Sequence, residues 1–373
     1  MNSNQLDEFR QRNSRVFFVD MHDRPSLQDY LCRRDLIAEG ESITALELAG
    51  QGNMNCTLRV RTPHRSLIVK QSRPWVEKFP EIAAPWERVL SEARFYMLVS
   101  PETVVFDRMP NLLHLDAESR IMVLEDLGPA RDFTGCYNGE PLDCATAVAL
   151  AGWLSELHAI EFQSRTRESL RNLEMRRLNH AHLFHLPLDH NNGFRLDEIT
   201  PGLSTAAERL QRDRPYVECV RELGELYLAD GRTLLHGDFF PGSWLQGEMG
   251  PRVIDPEFAF FGDPEFDLGV FLAHLYLARQ PEQVHEACLT AYRRTGRFHL
   301  RLALRFSGVE IMRRLIGIAQ LPLDLELSEK ERLLELSRDL VRSADVLASS
   351  HVAAKTTLAR LLELDDDADV RCA

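Results

Sequence analysis

A glycine-rich turn with strand-like sequence on both sides is the feature that most narrows the fold of this 373-residue chain. The turn reads GQGNMN at residues 50–55, between the alternating segments 43–49 and 56–61. In doubly wound α/β proteins and in Walker loops, the phosphate-binding turn must open a helix, because the helix N-terminus holds the phosphate. Two flanking strands argue against both folds. They indicate a glycine loop within an antiparallel sheet, with an ordinary hairpin turn as the alternative.

Glycine in such a loop lets backbone N–H groups approach phosphate oxygens, because no Cβ stands in the way. Asn55 can adopt the left-handed conformation that a third glycine would otherwise supply. The candidate phosphate-binding residues of the loop are Gly50, Gly52, Asn53 and Asn55.

A lysine and a helix glutamate follow the turn. The β-branched run at 66–70 predicts a strand that ends in Lys70, and helical spacing predicts a helix at 86–99. Glu92 lies at the edge of the apolar face of that helix and could turn toward Lys70, whereas Glu87 on the other flank is the rival partner. For both glutamates the alternative is a solvated position on the helix surface.

The periodicity changes from strands to helices along the chain. After a predicted hairpin, Gly and Pro interrupt the sequence EDLGP at 125–129, which indicates a hinge. Beyond about residue 143 helical spacing dominates, apart from a strand-rich segment at 232–262 and a poorly patterned region at 164–203. We therefore predict an α+β, bilobal chain with a small antiparallel-sheet lobe and a larger helical lobe. The predicted boundaries are 1–127, with an N-terminal helical extension, and 128–373.

Composition excludes several classes of partner. Lys and Arg number 44 against 57 Asp and Glu, a net charge of −13, which argues against a protein that binds nucleic acid. The seven scattered cysteines form no C-x-x-C pair, as expected in a reducing cytoplasm. No stretch approaches the roughly 20 apolar residues of a membrane helix, so no membrane partner is expected.

The strongest chemical signal is a pair of acidic segments, HGDFFPGS at 236–243 and VIDPE at 253–257. Two short strands predicted at 243–247 and 252–255 would form a hairpin. That hairpin is expected to bring three side chains close to the loop that carries Asp238, namely Ser243, Asp255 and Glu257.

Three carboxylates and a hydroxyl are costly to bury together without a cation. Hard oxygen ligands of this kind suit Mg²⁺ that is also bound by substrate phosphates, so the pattern predicts a nucleotide–Mg²⁺ site. The alternative is structural: His236 and Asp238 would cap a turn, and Asp255 would end a strand.

In their order along the chain, these motifs resemble the aminoglycoside phosphotransferase and choline kinase superfamily, whose members have a protein-kinase-like fold. The resemblance covers about residues 26–345. Within the superfamily, the methylthioribose kinase family is the most similar. The similar segments are GQGNMN at 50–55, VKQ at 69–71, Gly242-Ser243, DPEFAFFG at 255–262 and Arg313-Arg314.

On the nucleotide side, the resemblance implies an enzyme that uses ATP and Mg²⁺. Lys70 would pair with the phosphates, oriented by Glu92, under the loop at 50–55. Glu125 to Leu127 would frame the adenine. Asp255 and Glu257, with Ser243, would hold the metal.

On the acceptor side, the resemblance implies that Asp238 accepts the proton of the substrate hydroxyl. Asp267 would brace the catalytic loop through backbone N–H groups. Arg313 and Arg314 would line the acceptor site, although consecutive helical residues point about 100° apart, so only one of them is expected to face it.

Two departures from the methylthioribose kinase pattern leave the acceptor open. Phe240-Pro241 stands where that family has His-Thr, and Asp263-Pro264-Glu265 stands where it has Pro-Met-Gly. The first hypothesis is a kinase for a methylthioribose-like sugar. The alternatives are a kinase for a cationic acceptor, such as an aminoglycoside, choline or another amino alcohol, and a non-catalytic nucleotide-binding protein. The sequence also leaves a homodimer open.

Overall fold

The chain divides into two compact units in a computed structural model that describes residues 3–50, 52, 54–292, 299–321 and 323–342. Unit 1 comprises the chain up to Ala130 together with Val253–Phe258. Unit 2 comprises Arg131–Arg252 and the chain from Ala259 onward. The short segment at 253–258, which carries Asp255 and Glu257, therefore belongs to unit 1, although the chain on both sides of it belongs to unit 2.

Unit 1 is built on a five-stranded antiparallel sheet in the order β1-β2-β3-β7-β6. Its other strands, β4 and β5, form a separate antiparallel pair. The strands are β1 (Ala45–Leu48), β2 (Cys56–Arg61), β3 (Ser66–Gln71), β4 (Trp75–Val76), β5 (Phe79–Ala83), β6 (Leu112–Asp116) and β7 (Ile121–Glu125).

Alternation along β2 explains how this sheet buries its core. Cys56, Leu58 and Val60 are buried, whereas the residues between them are partly exposed. Four helices complete the unit, and the core lies between the sheet and α2, which begins after the N-cap Asp23. The helices are α1 (Ser3–Arg12), α2 (Arg24–Cys32), α3 (Arg88–Val99) and α4 (Thr103–Phe106).

Unit 2 is mostly helical. Its α-helices are α5 (Cys144–Ala159), α6 (Ser164–Glu168), α7 (Leu173–His180), α8 (Leu196–Ile199), α9 (Leu203–Gln211), α10 (Arg214–Leu228), α11 (Glu265–Leu277), α12 (Glu282–Tyr292), α13 (Leu300–Ile316) and α14 (Leu327–Arg342). Three strands lie within it, β8 (Thr233–Leu235), β9 (Trp244–Leu245) and β11 (Phe260–Gly262), while β10 (Arg252–Val253) spans the change from unit 2 to unit 1. Strands β8 and β11 pair antiparallel, with Leu235 opposite Phe260.

Helix α11 forms the centre of unit 2, since twelve of its residues from Glu265 to Leu277 are buried. It crosses α13 closely at Gly269, where an added Cβ would lie 2.6 Å from the Ala303 carbonyl oxygen and 2.7 Å from Phe306 Cβ. Glycine is therefore required sterically at this crossing.

The predicted α+β architecture of a sheet lobe and a helical lobe is confirmed, but some elements differ. The helix predicted over 204–230 is two helices, because Asp213 caps α10 and Pro215 occupies its first turn. The poorly patterned region 164–203 contains short helices and a π-helical turn at Ala181–His185. The predicted continuation of the last helix, 343–362, lies outside the described residues. None of the helices in the described part of the chain is long and apolar enough to cross a membrane.

Candidate active site

Lys70 lies near the end of β3, opposite Thr57 of β2 and Met122 of β7. Its ammonium group lies 2.6 Å from a carboxylate oxygen of Glu92 and also pairs with Asp255. Burial alone would lower the pKa of Lys70, but the carboxylates of Asp255, Glu92 and Glu257 outweigh it and raise the pKa, so the lysine stays charged. Glu87, the rival partner for Lys70, instead pairs with Arg120 at 2.5 Å.

Three carboxylates of unit 1 form a cluster around Lys70. Glu92, Asp255 and Glu257 each offer one oxygen, and these oxygens lie within 4.8 Å of one another. Burial raises the pKa of Glu92 to about 8. Burial and the nearby Asp255 carboxylate raise the pKa of Glu257 to about 7. The cluster therefore holds more negative charge than its surroundings compensate, which is the condition in which carboxylates bind a cation.

This donor set fits Mg²⁺, because carboxylate oxygens are the hard ligands that magnesium takes in proteins. Asp255 has a side chain that is 41% exposed, so it can meet a ligand from solvent, whereas Glu92 and Glu257 are buried. The sequence had named Ser243 in place of Glu92 as the third oxygen donor, so Glu92 is an addition from the structure.

Asp255 itself has an unusual backbone conformation. Its φ angle is 66°, in the left-handed region that residues with a Cβ rarely adopt. It lies two residues beyond the end of β10, which is shorter than the predicted strand 252–255. Aspartate reaches this region more readily than most residues, and the surrounding structure, including the pairing with Lys70, holds the conformation in place.

The glycine loop connects β1 to β2, as the flanking alternation predicted, with Leu48 opposite Leu58. Gly50 has a φ of 75°, which requires a residue without a Cβ at this turn. Gly52 leaves open space where a Cβ would stand. Asn53 lies outside the described residues.

Asn55 does not have the left-handed conformation that was expected, so that prediction is wrong. Among the described residues other than glycine, positive φ angles occur at five positions, and Asn55 is not one of them; they are Asp35, Arg120, Asn172, Asp255 and Arg279. The side chain of Asn55 instead connects two buried groups. Its amide nitrogen donates to Glu257 at 2.8 Å, and its amide oxygen accepts from Arg88 at 2.8 Å.

Arg88 was missed by the sequence analysis. It begins α3 and its side chain is completely buried. Its guanidinium donates to Asn55 and to four backbone carbonyl groups, those of Met54, Arg73, Trp75 and Pro85. One residue therefore fixes the end of the glycine loop and the β4 strand. Nothing in the spacing of 86–99 distinguishes it from a surface arginine.

The predicted hinge begins where β7 ends. Glu125 accepts hydrogen bonds from the backbone and the side chain of Asn111, at 3.1 and 2.6 Å. Asp126 accepts two hydrogen bonds from Arg59, at 2.8 and 3.0 Å, which fixes the chain just before Leu127. Leu127 is partly exposed, so its side chain is available for contact with a ligand.

In unit 2, Asp267 holds the loop that carries Asp238. From the first turn of α11, its carboxylate accepts hydrogen bonds from the backbone N–H groups of His236, at 2.6 Å, and Gly237, at 2.9 Å. The predicted bracing role of Asp267 is thus confirmed. Gly237 has a φ of 86°, which glycine adopts without strain. Ser243 donates its hydroxyl to the Asp238 carbonyl oxygen at 3.0 Å and so closes the loop from the other side.

Both Arg313 and Arg314 contact Asp238. The terminal guanidinium nitrogen of each lies 3.1 Å from the same oxygen, Asp238 Oδ1. The prediction that only one of them faces the site is therefore wrong. Their Cα–Cβ bonds do point about 100° apart, but a long side chain with four rotatable bonds can bend back to a shared partner. The guanidinium of Arg314 also lies over the ring of Phe240, 4.6 Å from its centroid.

Two acidic residues, Asp263 and Glu265, depart from the methylthioribose kinase pattern, and one of them has a structural role. Glu265 is buried and accepts a hydrogen bond from the His299 N–H at 2.7 Å. Asp263 is partly exposed and precedes α11. Glu265 therefore stabilises the packing of unit 2 rather than presenting its charge to solvent.

A model of the phosphotransferase enzyme family matches residues 46–302, which is more than half of the chain. The chain belongs to this phosphotransferase enzyme family. It is a small-molecule kinase. The non-catalytic alternative is therefore not kept.

Curated relatives of this phosphotransferase include methylthioribose kinases. That of Exiguobacterium sibiricum is 27% identical over 360 residues, which cover 85% of this chain and 90% of the relative. That of Bacillus velezensis is 27% identical over 350 residues, which cover 81% of this chain and 87% of the relative.

Solved structures of similar fold include two phosphotransferases of other specificity. A choline kinase from Streptococcus pneumoniae has a TM-score of 0.50 and 14% identity, covering 85% of this chain and 99% of its own. A spectinomycin phosphotransferase in complex with ADP and spectinomycin has a TM-score of 0.52 and 12% identity, covering 85% of this chain and 98% of its own. At these identities the likeness confirms the protein-kinase-like fold alone.

Proposed function

We propose that this phosphotransferase is an ATP-dependent kinase that transfers the γ-phosphoryl group to a hydroxyl of a methylthioribose-like sugar. The observation that carries the choice of acceptor is the contact of Arg313 and Arg314 with one oxygen of Asp238. The similarity to methylthioribose kinases over most of both chains supports it.

On the nucleotide side, the residues of unit 1 have the roles that phosphoryl transfer requires. Lys70, kept charged by its carboxylate partners, pairs with the phosphates, and Glu92 orients it. Gly50, Gly52, Asn53 and Asn55 belong to the loop that covers the phosphates. Glu125 and Leu127 frame the adenine. These residues form the nucleotide-binding lobe, for which we keep the boundaries 1–127, with the addition of Val253–Phe258.

Asp255 and Glu257, with Glu92 beside them, hold Mg²⁺ in this proposal, and the buried Ser243 hydroxyl is a further oxygen donor. When bound, the metal neutralises the charge that spreads over the phosphate oxygens in the loose transition state. The chain's own contribution is to keep these oxygens together: Asn55 holds Glu257, and Lys70 holds Asp255.

On the acceptor side, Asp238 orients the acceptor hydroxyl and takes its proton, as a positioned general base. The two arginines bind Oδ1, so Oδ2 is the oxygen left for the hydroxyl. Both guanidinium groups donate hydrogen bonds, which suits the oxygen-rich surface of a sugar.

A cationic acceptor is the second candidate. The net charge of −13 favours it, because a negatively charged protein attracts cations. Close to Asp238 the contacts favour the sugar. Arg313 and Arg314 are both buried and permanently charged, and they already occupy one oxygen of Asp238, with which an ammonium group of the acceptor would otherwise pair. Because the groups next to Asp238 contact the acceptor directly, they decide which acceptor binds, and we therefore place the sugar first.

The test of the acceptor is an ADP-release screen with methylthioribose, other sugars, aminoglycosides, choline and amino alcohols. We expect turnover with methylthioribose and none with the cations. Turnover with a cationic acceptor alone would replace the first proposal by the second. No turnover with any acceptor, from protein that binds nucleotide, would remove both.

The role of Asp238 is tested by Asp238→Ala, which should lower kcat by about 10²–10⁴, as removal of a general base does. The matched control is Asp230→Ala, because Asp230 also pairs with two arginines, Arg171 at 2.9 Å and Arg176 at 3.1 Å. The control should keep wild-type kcat. Equal kcat in both variants would contradict the assignment.

Assembly and location stay predictions. A homodimer is tested by light scattering on the purified protein, and a cytoplasmic location by fractionation of cells that express it.

A further inference from the structure

Behind the two arginines of unit 2 lies a connected series of buried polar side chains. Glu310 accepts from Nε of Arg313 at 2.6 Å and from Nε of Arg314 at 2.7 Å. His274 Nε2 lies 3.0 Å from Glu310, and His274 Nδ1 lies 2.6 Å from the hydroxyl of Tyr137. Glu310, His274 and Tyr137 are each at most 1% exposed.

The protonation of this series follows from its surroundings. Burial opposes ionisation of Glu310, but Arg313 and Arg314 outweigh it and hold its pKa well below the usual range. Burial lowers the pKa of His274 to about 4, so its ring is neutral at pH 7. An ionised carboxylate only accepts, so His274 must donate from Nε2 and accept at Nδ1. Tyr137, whose pKa burial raises well above the usual range, is then the donor.

Each step of this series restricts the next. Glu310 fixes the tautomer of His274, Tyr137 holds the orientation of the His274 ring, and His274 in turn holds Glu310 in place. Glu310 accepts from Nε of both guanidinium groups and also from Nη2 of Arg313 at 3.0 Å, and in this position Nη2 of each arginine reaches Asp238. Donation therefore runs from Tyr137 through His274 to Glu310, and the two arginines donate both to Glu310 and to Asp238.

Stability alone does not account for this arrangement. Burying two arginines, a carboxylate and a histidine costs desolvation free energy, and apolar side chains of similar size often stabilise a protein as well or better. A fully satisfied buried network does, however, give one fixed arrangement. Fixed geometry is what a phosphotransferase needs, because it acts largely by positioning its reactants.

We propose that Tyr137, His274 and Glu310 are positioning residues that orient Arg313 and Arg314 toward Asp238 and toward the acceptor. The inference rests on the proposed function and deepens it, since it adds residues that hold the acceptor side of the reaction. None of the three need touch a substrate.

The experiment measures kcat and KM for the acceptor and for ATP, and the thermal unfolding midpoint, in wild type and five variants. Tyr137→Phe removes one hydroxyl and should lower kcat/KM for the acceptor by about three- to tenfold. Glu310→Gln removes the charge that holds both arginines and should lower it by about 10²-fold. Both should leave KM for ATP within about twofold, because the nucleotide residues lie in unit 1. The control, Tyr216→Phe, removes another buried hydroxyl that is hydrogen-bonded to a side chain, Ser337 at 2.9 Å, and should leave all kinetic constants unchanged.

Rescue by a conservative variant distinguishes positioning from packing. His274→Gln keeps a donor for Glu310 and an acceptor for Tyr137, whereas His274→Leu keeps neither, so His274→Gln should retain about tenfold more acceptor kcat/KM. If Glu310→Gln fails to fold, Tyr137→Phe and the His274 pair still decide. Unchanged acceptor kinetics in Tyr137→Phe, or equal losses in both His274 variants, would overturn the inference. Since wild type is assayed first, absence of wild-type turnover would count against the proposed function and not against this positioning role.

Discussion

The ammonium nitrogen of Lys70 lies 2.6 Å from a carboxylate oxygen of Glu92, and both side chains are buried. Their pairing joins a sheet strand to α3, so the position of the ammonium is set by two elements at once. Because the Lys70 side chain is already held in one position, binding a phosphate would not require it to be ordered, and this lowers the entropic cost of binding.

The first prediction concerns this pair. Glu92→Gln removes the charge that orients Lys70, and we expect KM for ATP to rise by about 10- to 100-fold with little change in KM for the acceptor. Glu87→Gln is the matched control. Glu87 is the N-cap residue of the same helix, but it pairs with Arg120 and its side chain is 54% exposed. Equal effects of the two substitutions in steady-state kinetics would contradict the role given to Glu92.

The second prediction concerns the candidate metal ligands. Asp255→Asn should abolish binding of a non-hydrolysable ATP analogue with Mg²⁺, as measured by titration calorimetry, because a neutral amide is a weaker ligand than a carboxylate. Acceptor binding should persist in the same variant. In wild type, chelation of Mg²⁺ should remove turnover and addition of Mg²⁺ should restore it. Full nucleotide affinity in Asp255→Asn would show that the cluster does not hold the metal.

The third prediction is a pH dependence. Burial raises the pKa of Glu92 to about 8 from an ordinary 4.5, and that of Glu257 to about 7. A carboxyl with a raised folded pKa contributes stability that is present below its unfolded pKa and is lost as the pH rises through the folded value. We therefore expect these two groups to lower the free energy of unfolding of the ligand-free protein between about pH 5 and pH 8.

Mg²⁺–nucleotide binds the ionised carboxylates, so it should stabilise the protein more at about pH 8 than at about pH 6. Thermal unfolding with and without the ligand measures both effects. Glu92→Gln, which carries no titrating group at this position, should reduce the pH dependence of the ligand-free protein. An unaltered pH dependence in that variant would contradict the raised pKa of Glu92.

The fourth prediction concerns the helix crossing at Gly269. Gly269→Ala should destabilise the protein by about 1–3 kcal/mol, because the new Cβ meets the backbone of α13 and cannot be accommodated without a shift. Gly152→Ala, at a helical glycine where the added Cβ meets nothing within 4 Å apart from its chain neighbours and its own helix backbone, should be neutral or stabilise by up to about 1 kcal/mol. Chemical denaturation measures both, and the reverse order would contradict the steric argument.

Much of the sheet was predictable from the sequence, since alternation in 56–61 follows directly from one buried face. The order of motifs was likewise sufficient to predict the fold. The sequence did not show which groups the long polar side chains contact. An arginine at the start of a helix is ordinarily exposed, but Arg88 is buried. The spacing of apolar residues does not show which carbonyl groups surround its side chain.

The two arginines illustrate the same limit. Helix geometry fixes where Arg313 and Arg314 begin, but not where their guanidinium groups end. Glu310, three and four residues earlier, is what directs both, and a single glutamate in a helix is ordinarily read as a surface residue. His274 and Tyr137 were missed for a related reason, since their partners lie far away in the sequence.

The segment Val253–Phe258 has a consequence for dissecting the molecule. It supplies Asp255 and Glu257 to unit 1, yet the whole of Arg131–Arg252 separates it from the rest of that unit. A fragment cut after residue 130 would carry the lysine and the glycine loop but lack two of the clustered acids. Unit 1 therefore cannot be obtained by simple truncation; it would require the missing peptide to be grafted back or the chain to be circularly permuted.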